Sequence, residues 1–400
     1  MAKAAILGFG TVGSGVYEIL KNKNLCASAG EEIEVKYILD IRDFDDEEIK
    51  KYLTKDFDVI AKDKEIGVVA EVMGGLHPAY EFTKKLLESG VSVVTSNKEL
   101  VATYGAELLE IARKNNASYM FEASVGGGIP VIRPMTICTK ANDIERIAGI
   151  LNGTTNYILN EMFAKGKDFE DALKDAQAKG YAERNPAADV EGHDACRKLA
   201  ILSSMAWGKF VDYNEIPTEG ITKITLDDVK YAEKLNSVIK LIGYAEKSED
   251  KIYARVSPML VPNEIIISGV NDVFNAVMIK GDSLGDAMFY GRGAGKLPTA
   301  SAVVADVIDC VRHFDSKKHT IKWDAQNEGI MMNPDEKKMS FFVRCKDSKE
   351  NIAKQFGDVE YTALIDGENA FIVRNISQNE LNLKLSELTN IISFIRILEA

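Results

Sequence analysis

The chain has 400 residues, 46% of them hydrophobic, enough for two or three domains that each bury a core. Its formal charge of −12 argues against nucleic acid or a membrane surface as the main partner, and no apolar run is long enough to span a bilayer. Five scattered cysteines (Cys26, Cys138, Cys196, Cys310 and Cys345) without CxxC spacing, behind an N-terminus that lacks a cleavable signal pattern, point to a reduced, cytoplasmic protein with neither disulfides nor a structural zinc site.

Ala4 to Leu7 read as a short apolar strand, followed at once by Gly8-Phe9-Gly10-Thr11-Val12-Gly13 and a helical pattern through Leu20. Strand, GxGxxG and helix in that order form the context a dinucleotide-binding fingerprint requires. Gly8 permits the tight turn, Gly10 lets the backbone reach a pyrophosphate, and Gly13 lets the helix pack closely on the strand, while the helix N-terminus supplies amide donors. The next strand, Ile33 to Leu39, ends at Asp40, placed to accept from an adenosine ribose hydroxyl; Arg42 follows and could instead meet a 2′-phosphate. The acids Asp43, Asp45, Asp46, Glu47 and Glu48 would repel an extra phosphate, which tilts the reading toward NAD over NADP.

Further strands at Gly67 to Val72 and Val91 to Val94 each run into a polar or glycine-rich loop, the second being Thr95-Ser96-Asn97-Lys98. Ligands of open α/β sheets lie beyond the carboxyl ends of the strands, which places Lys98 near the nicotinamide or leaves it as an exposed helix-start lysine. A fifth strand, Ser118 to Phe121, enters Glu122-Ala123-Ser124-Val125-Gly126-Gly127-Gly128-Ile129-Pro130, whose glycines could present carbonyls to a cation, admit a cofactor or act as a hinge.

After Pro134 the pattern becomes strand Ile144 to Leu151, the loop Asn152-Gly153-Thr154-Thr155-Asn156, helices from Tyr157 and Asp168, a helix Leu226 to Ala245, and strands at Ile252 to Leu260, Val273 to Ile279 and Ala287 to Tyr290. That order reads as an α+β domain whose sheet could carry a subunit interface. The loop Gly291 to Pro298 then opens a helix rich in small residues that docks back on the first domain.

The richest stretch is Gly180 to Lys198, GYAERNPAADVEGHDACRK, which gathers Glu183, Asp189, Asp194 and Lys198. A helix beginning near Gly192 sets Asp194, Lys198, Ile201 and Met205 on one face, so the acid and the lysine head an apolar face at the rim of a cleft, partly desolvated. The plain alternative is an exposed i, i+4 ion pair. Glu183 and Asp189 come from the Pro- and Gly-containing loop before the helix, where the backbone can bend side chains toward a ligand.

The motifs GFGTVGSG at Gly8, TSNKEL at Thr95, FEASVGGGIP at Phe121, GILNGTTNYI at Gly149, GYAERNPAADVEGHDACRKLAIL at Gly180 and FYGRGAGKLPTASAVVAD at Phe289 together resemble the homoserine dehydrogenase family, over residues 1 to about 312. The resemblance implies NAD(P)-dependent interconversion of L-homoserine and L-aspartate 4-semialdehyde on the route to threonine, methionine and isoleucine. By similarity, Lys198 is the acid/base, Lys98 sits where cofactor and substrate meet, and Asp194 with Gly180, Glu183 and Asp189 holds the amino alcohol. Gly8, Phe9, Gly10, Thr11, Val12, Gly13, Asp40, Arg42, Thr95 and Gly295 serve the cofactor, and Glu122, Val125, Gly127 and Ile129 match a sodium site built largely of backbone carbonyls. A homodimer or a dimer of dimers is implied.

The expected fold is α/β: a Rossmann dinucleotide-binding domain at 1–133 completed by a helix at 298–312, an α+β substrate and dimerisation domain at 134–297, a linker at 313–338 and a small βαββαβ tail at 339–400. The tail resembles an ACT domain, but Lys346-Asp347-Ser348-Lys349 lacks the Asp-x-Pro-Gly type of turn that holds an amino acid, which puts threonine feedback in doubt. A non-catalytic amino-acid sensor using this tail is the alternative function; intact Glu183, Asp194 and Lys198 favour the enzyme.

Overall fold

The computed structural model describes residues 2–22, 30, 32–314, 321–325 and 329–399, and the chain divides into two compact units. Cys26 and, within the expected linker, residues 315–320 and 326–328 lie outside the described residues.

The first unit is built from residues 1–144, 200–213 and 281–327. Six parallel strands, β1 (Ala2–Leu7), β2 (Ile33–Leu39), β3 (Leu53–Thr54), β4 (Ile66–Glu71), β5 (Ser92–Thr95) and β6 (Tyr119–Met120), are ordered β3-β2-β1-β4-β5-β6. This is the doubly wound Rossmann order, which directs the carboxyl ends of β1, β4 and β5 to one edge. The strands read as near-continuous apolar runs because helices cover both faces: Ile6, Ile38, Val68 and Val94 are fully buried. The helices Thr11–Lys21 and Lys296–Arg312 complete that core, with Val16, Ala300, Val303 and Val307 in the same cluster. Their approach requires a glycine, since a Cβ at Gly15 would stand 2.9 Å from the Ala300 Cβ.

The second unit, from residues 145–199, 214–280 and 328–400, carries an antiparallel core of β7 (Ile144–Ile150), β8 (Ser237–Ser248), β9 (Lys251–Pro262) and β10 (Phe274–Gly281) in the order β10-β7-β8-β9. The expected helix Leu226 to Ala245 ends at Lys234, and the rest is β8. Asn236 takes a left-handed φ of 51°, which breaks the helix, and Val238, Ile239 and Ile242 are β-branched residues that favour a pleated surface. Thr225 and Asp228 form a capping box at the start of the shortened helix.

Strand β11 (Gly285–Arg292) then leads into the helix Lys296–Arg312 of the first unit. The tail adds β12 (Lys338–Cys345), a helix Lys349–Phe356, β13 (Glu360–Thr362), β14 (Asn369–Ser377), a helix Gln378–Leu385 and β15 (Ile391–Ile397), the expected βαββαβ order. The strands pair antiparallel as β15-β12-β14-β13, a split βαβ arrangement. Its edge is not left open on the β15 side, because Arg396 and Ile397 pair in parallel with Met259 and Leu260 of β9. The tail thereby extends the sheet of the second unit.

Candidate active site

At the carboxyl end of β1, Gly8 takes φ +94°, and a Cβ on Gly13 would lie 2.0 Å from the Gly8 carbonyl oxygen, so neither position accepts a side chain. Gly10 differs: a Cβ there would meet nothing within 4 Å. The space is open where a phosphate would approach, the helix Thr11–Lys21 has no side-chain cap and no acid in its first turn, and its amide donors suit an anion. Phe9 donates its N–H to Asp40 Oδ2 at 2.8 Å. Arg42 donates to the same carboxylate from its backbone N–H (2.9 Å), Nε (2.9 Å) and Nη2 (2.8 Å). The guanidinium and these amides hold the Asp40 carboxyl well below the usual carboxylate range. The two residues that the sequence set against each other thus form one ion pair, its acid buried and its arginine exposed.

A second feature of this edge is Glu71, the last residue of β4, which is completely buried. It accepts from Thr95 Oγ1 at 2.6 Å and from the Met73 N–H at 2.8 Å, and burial pushes its carboxyl up. Asn97 caps the helix Lys98–Lys114 and donates from Nδ2 to the Gly75 carbonyl at 2.6 Å. Glu71 and Asn97 together tie the loop after β4 to the loop after β5, and so set the start of the helix from which Lys98 projects. In the sequence Glu71 is marked only as an acid inside the apolar run Gly67 to Val72.

In the second unit, Lys198 and Asp194 lie one turn apart on the helix His193–Trp207 and are 9% and 6% exposed, more deeply buried than a cleft rim. Lys198 Nζ donates to Asp194 Oδ2 at 2.7 Å and to the Leu151 carbonyl at 2.8 Å. Asn152 completes the cluster: one amide hydrogen goes to Asp189 Oδ1 (2.7 Å), the other to Asp194 Oδ2 (2.8 Å). Its own Oδ1 accepts from the Thr155 N–H and caps the helix Gly153–Lys165. The side chain therefore has no freedom to turn away, and it fixes the gap between two carboxylates. Asn152 was visible only as the first residue of the NGTTN loop, because its partners are 37 and 42 residues away.

Asp189, Asp194 and Lys198 are brought together; Glu183 is not joined to them by a hydrogen bond. Its side chain is exposed, and its carbonyl accepts from Gln177 Nε2 at 3.1 Å. Gly180 takes φ +75° and ends the helix Phe169–Ala178, turning the chain into the loop that carries Glu183.

In the first unit, the three-glycine loop packs on the loop before the helix Lys296–Arg312: a Cβ on Gly127 would stand 2.5 Å from the Gly293 carbonyl oxygen. Gly295 caps that helix with φ +129°. Both oxygens of the buried Glu122 carboxylate are taken by backbone N–H groups, from Val131 (2.7 Å), Ile132 (2.9 Å) and Arg133 (2.7 Å). Gly126 accepts from the Ile129 N–H at 2.9 Å, and the Val125 N–H turns back to the Glu122 carbonyl at 3.4 Å. Among the described residues no group of three or more His, Cys, Asp or Glu side chains is arranged to hold a metal ion.

Residues 8–122 match the family model described as the NAD-binding domain of homoserine dehydrogenase, and residues 130–308 match the model for homoserine dehydrogenase itself. A homoserine dehydrogenase of Neisseria gonorrhoeae is 38% identical over 394 residues, covering 96% of this chain and 89% of the relative. The crystal structure of a homoserine dehydrogenase from Thiobacillus denitrificans superposes with a TM-score of 0.91 at 35% identity, covering 100% of this chain and 98% of the other. A hyperthermophilic archaeal homoserine dehydrogenase mutant in complex with NADPH covers 79% of this chain and 99% of its own, with a TM-score of 0.68 at 29% identity.

Proposed function

The chain belongs to the homoserine dehydrogenase family, and on that premise we propose how its residues divide the work of interconverting L-homoserine and L-aspartate 4-semialdehyde. The protein is an oxidoreductase that uses a nicotinamide dinucleotide, and the observation that carries the division of roles is the Asn152-Asp189-Asp194-Lys198 cluster. When bound, the nicotinamide ring accepts the hydride that leaves C4 of the alcohol.

Lys198 takes the proton from the C4 hydroxyl as that hydride leaves. A base must offer a lone pair, and with its two N–H groups directed to the Leu151 carbonyl and to Asp194 the amine presents that lone pair to the substrate hydroxyl. Asp194 and Asp189, spaced by Asn152, face the α-ammonium, and Glu183 joins them from its loop. Lys98, at the start of the helix after β5, serves the nicotinamide end of the cofactor. The dinucleotide lies over Gly8, Phe9, Gly10, Thr11, Val12 and Gly13, with Thr95 and Gly295 along it, its phosphates on the amides of the helix Thr11–Lys21 and its ribose on Asp40.

NAD is the better fit of the two cofactors. Arg42 would have to leave Asp40 to meet a 2′-phosphate, and an acidic loop follows it. A sodium ion at Glu122, Val125, Gly127 and Ile129 would be held by backbone carbonyls, since the Glu122 carboxylate is already spoken for. The enzyme works as a homodimer or a dimer of dimers in the cytoplasm; no described helix is long and apolar enough to cross a membrane. The loop after β12 closes on itself, Asp347 accepting from the Ser348 N–H, Asn351 Nδ2 and Thr389, which argues against an amino-acid effector at that turn.

Initial rates with L-homoserine and equal concentrations of NAD and NADP test the reading. Turnover with either cofactor, faster with NAD, is the expected result. No reduction of either from pH 7 to 10 would remove it and leave the sensor role of the tail.

A further inference from the structure

Arg396 lies in β15, the last strand of the tail, yet its guanidinium reaches an acid outside the tail. Nη1 donates to Glu219 at 3.0 Å and Nη2 to Gln378 Oε1 at 2.6 Å. Arg255 of β9 approaches the same acid, its Nη1 donating to Glu219 Oε1 at 2.9 Å and its Nη2 to Asp335 Oδ1 at 3.0 Å. Both arginines are about as buried as the core, at 3% and 4% exposure, so Glu219 is held by two charges that have little water to turn to.

The loop that carries Glu219 is the support on which the substrate acids rest. Glu219 donates its N–H to the Val256 carbonyl at 2.8 Å, and Ile221 donates its N–H to the Val190 carbonyl at 2.8 Å. Between them, Gly220 lies so close to the chain that a Cβ would stand 2.2 Å from the Val190 carbonyl oxygen and 2.5 Å from the Glu191 Cα. On the other side, Gly192, at φ +87°, packs with a built Cβ 3.0 Å from Thr218 Cγ2. Residues 190–192 are the turn between Asp189 and Asp194. A shift of the Glu219 loop therefore moves the spacing of the two carboxylates that Asn152 bridges.

We propose that Arg396 is a positioning residue for the substrate acids, acting through Glu219 and the loop at 217–221 on the turn that separates Asp189 from Asp194. The tail thus takes part in shaping the substrate site. This rests on the reading that those two acids hold the ammonium of homoserine, and the experiment separates the two: wild-type turnover tests the reading, and the variants test Arg396.

In the full chain, Arg396→Met raises the KM for L-homoserine about three- to tenfold, leaves the KM for the cofactor unchanged and changes kcat by less than about twofold. Arg396→Lys, which keeps the charge, recovers part of the loss. A tail that only stabilises the fold would lower the active fraction, and so the apparent kcat, with no change in KM. Gly220→Ala presses on the same turn without touching the tail and produces the same selective rise in KM; it decides the matter should Arg396→Met fail to fold. Homoserine KM unchanged in Arg396→Met, or in Gly220→Ala where only that variant folds, would overturn the proposal and assign the loop's position to its backbone bonds with β9.

Discussion

Asp40 and Arg42 form an ion pair at the cofactor edge, and Asp194 and Lys198 form another in the proposed substrate site. In both the acid is buried, but the Arg42 side chain is 56% exposed and that of Lys198 11%. Arg42 can leave its partner for water at little cost, because solvent replaces most of what the carboxylate provides. Lys198 cannot, since a main-chain carbonyl holds it as well and its acid is also held by Asn152. The first pair suits a residue that adapts to whichever ligand arrives; the second suits one that must stand in one place when a proton moves.

The largest effect should come from breaking the buried pair on its cationic side. Lys198→Met is expected to lower kcat/KM for homoserine oxidation by about 100- to 10,000-fold, the usual range for loss of a general acid or base. A general base has to be able to accept the hydroxyl proton, so the wild-type rate should rise with pH above neutrality, and the variant's residual rate should lose that dependence. Initial rates from pH 7 to 10 measure both, and a profile identical to wild type would sink the assigned role.

Asn152 separates the geometry of the pair from its charge. Asn152→Ala removes the helix cap, worth roughly 1 kcal/mol, and the bridge between the two carboxylates, so homoserine KM should rise roughly tenfold. Asn152→Asp keeps an oxygen that can cap the helix but brings a third carboxylate against Asp189 and Asp194. Repulsion among buried carboxylates outweighs a cap worth about 1 kcal/mol, so it should unfold at no higher a denaturant concentration than Asn152→Ala and bind homoserine no better. If both variants bind homoserine as wild type does, the bridge does not set the acid spacing.

Lys240 extends the contrast to a buried cation without a carboxylate partner among its hydrogen bonds. Its Nζ donates to the Val270 carbonyl (2.6 Å), Asn156 Oδ1 (3.1 Å) and Asn271 Oδ1 (3.1 Å), and burial pushes its pKa down to about 8. Neutral oxygens satisfy the donors without balancing the charge. Between about pH 8 and 10.5 the unfolded chain binds a proton at this lysine that the folded chain has released, so this group's contribution to stability rises with pH through that window. Relative to Lys240→Met, wild type should gain on the order of 1–3 kcal/mol from pH 8 to 10.5 by urea unfolding. Parallel curves would mean that the lysine stays protonated.

What could be read in the sequence follows the range of the interactions. The glycine loop was legible because Gly8 and Gly13 meet within one turn of chain, and the pairing of Asp194 with Lys198 because a helix repeats every 3.6 residues. The role of Asn152 was not, since Asp189 and Asp194 reach it only through tertiary folding, and the link from Arg396 to Glu219 spans 177 residues. The misread helix at 226–245 failed for the opposite reason. Its apolar residues fit a helical period as well as a strand's, and the deciding residue was Asn236, whose left-handed φ is a property of the folded chain.

The smallest effect is expected at the exposed pair. Arg42→Met should leave the unfolding midpoint where it is, because the guanidinium already shares its charge with water and Asp40 keeps the Phe9 and Arg42 backbone N–H groups. Turnover with NAD should stay within about twofold, since Asp40 is still present for the ribose. Turnover with NADP should fall about three- to tenfold if the freed guanidinium is what meets the 2′-phosphate, so the preference for NAD sharpens. An unchanged NAD to NADP ratio would mean that Arg42 never leaves Asp40 and that the acidic loop alone disfavours NADP. A clear loss of stability would mean that the pair braces the cofactor edge, and the contrast between the adaptable cation and the fixed one would no longer hold.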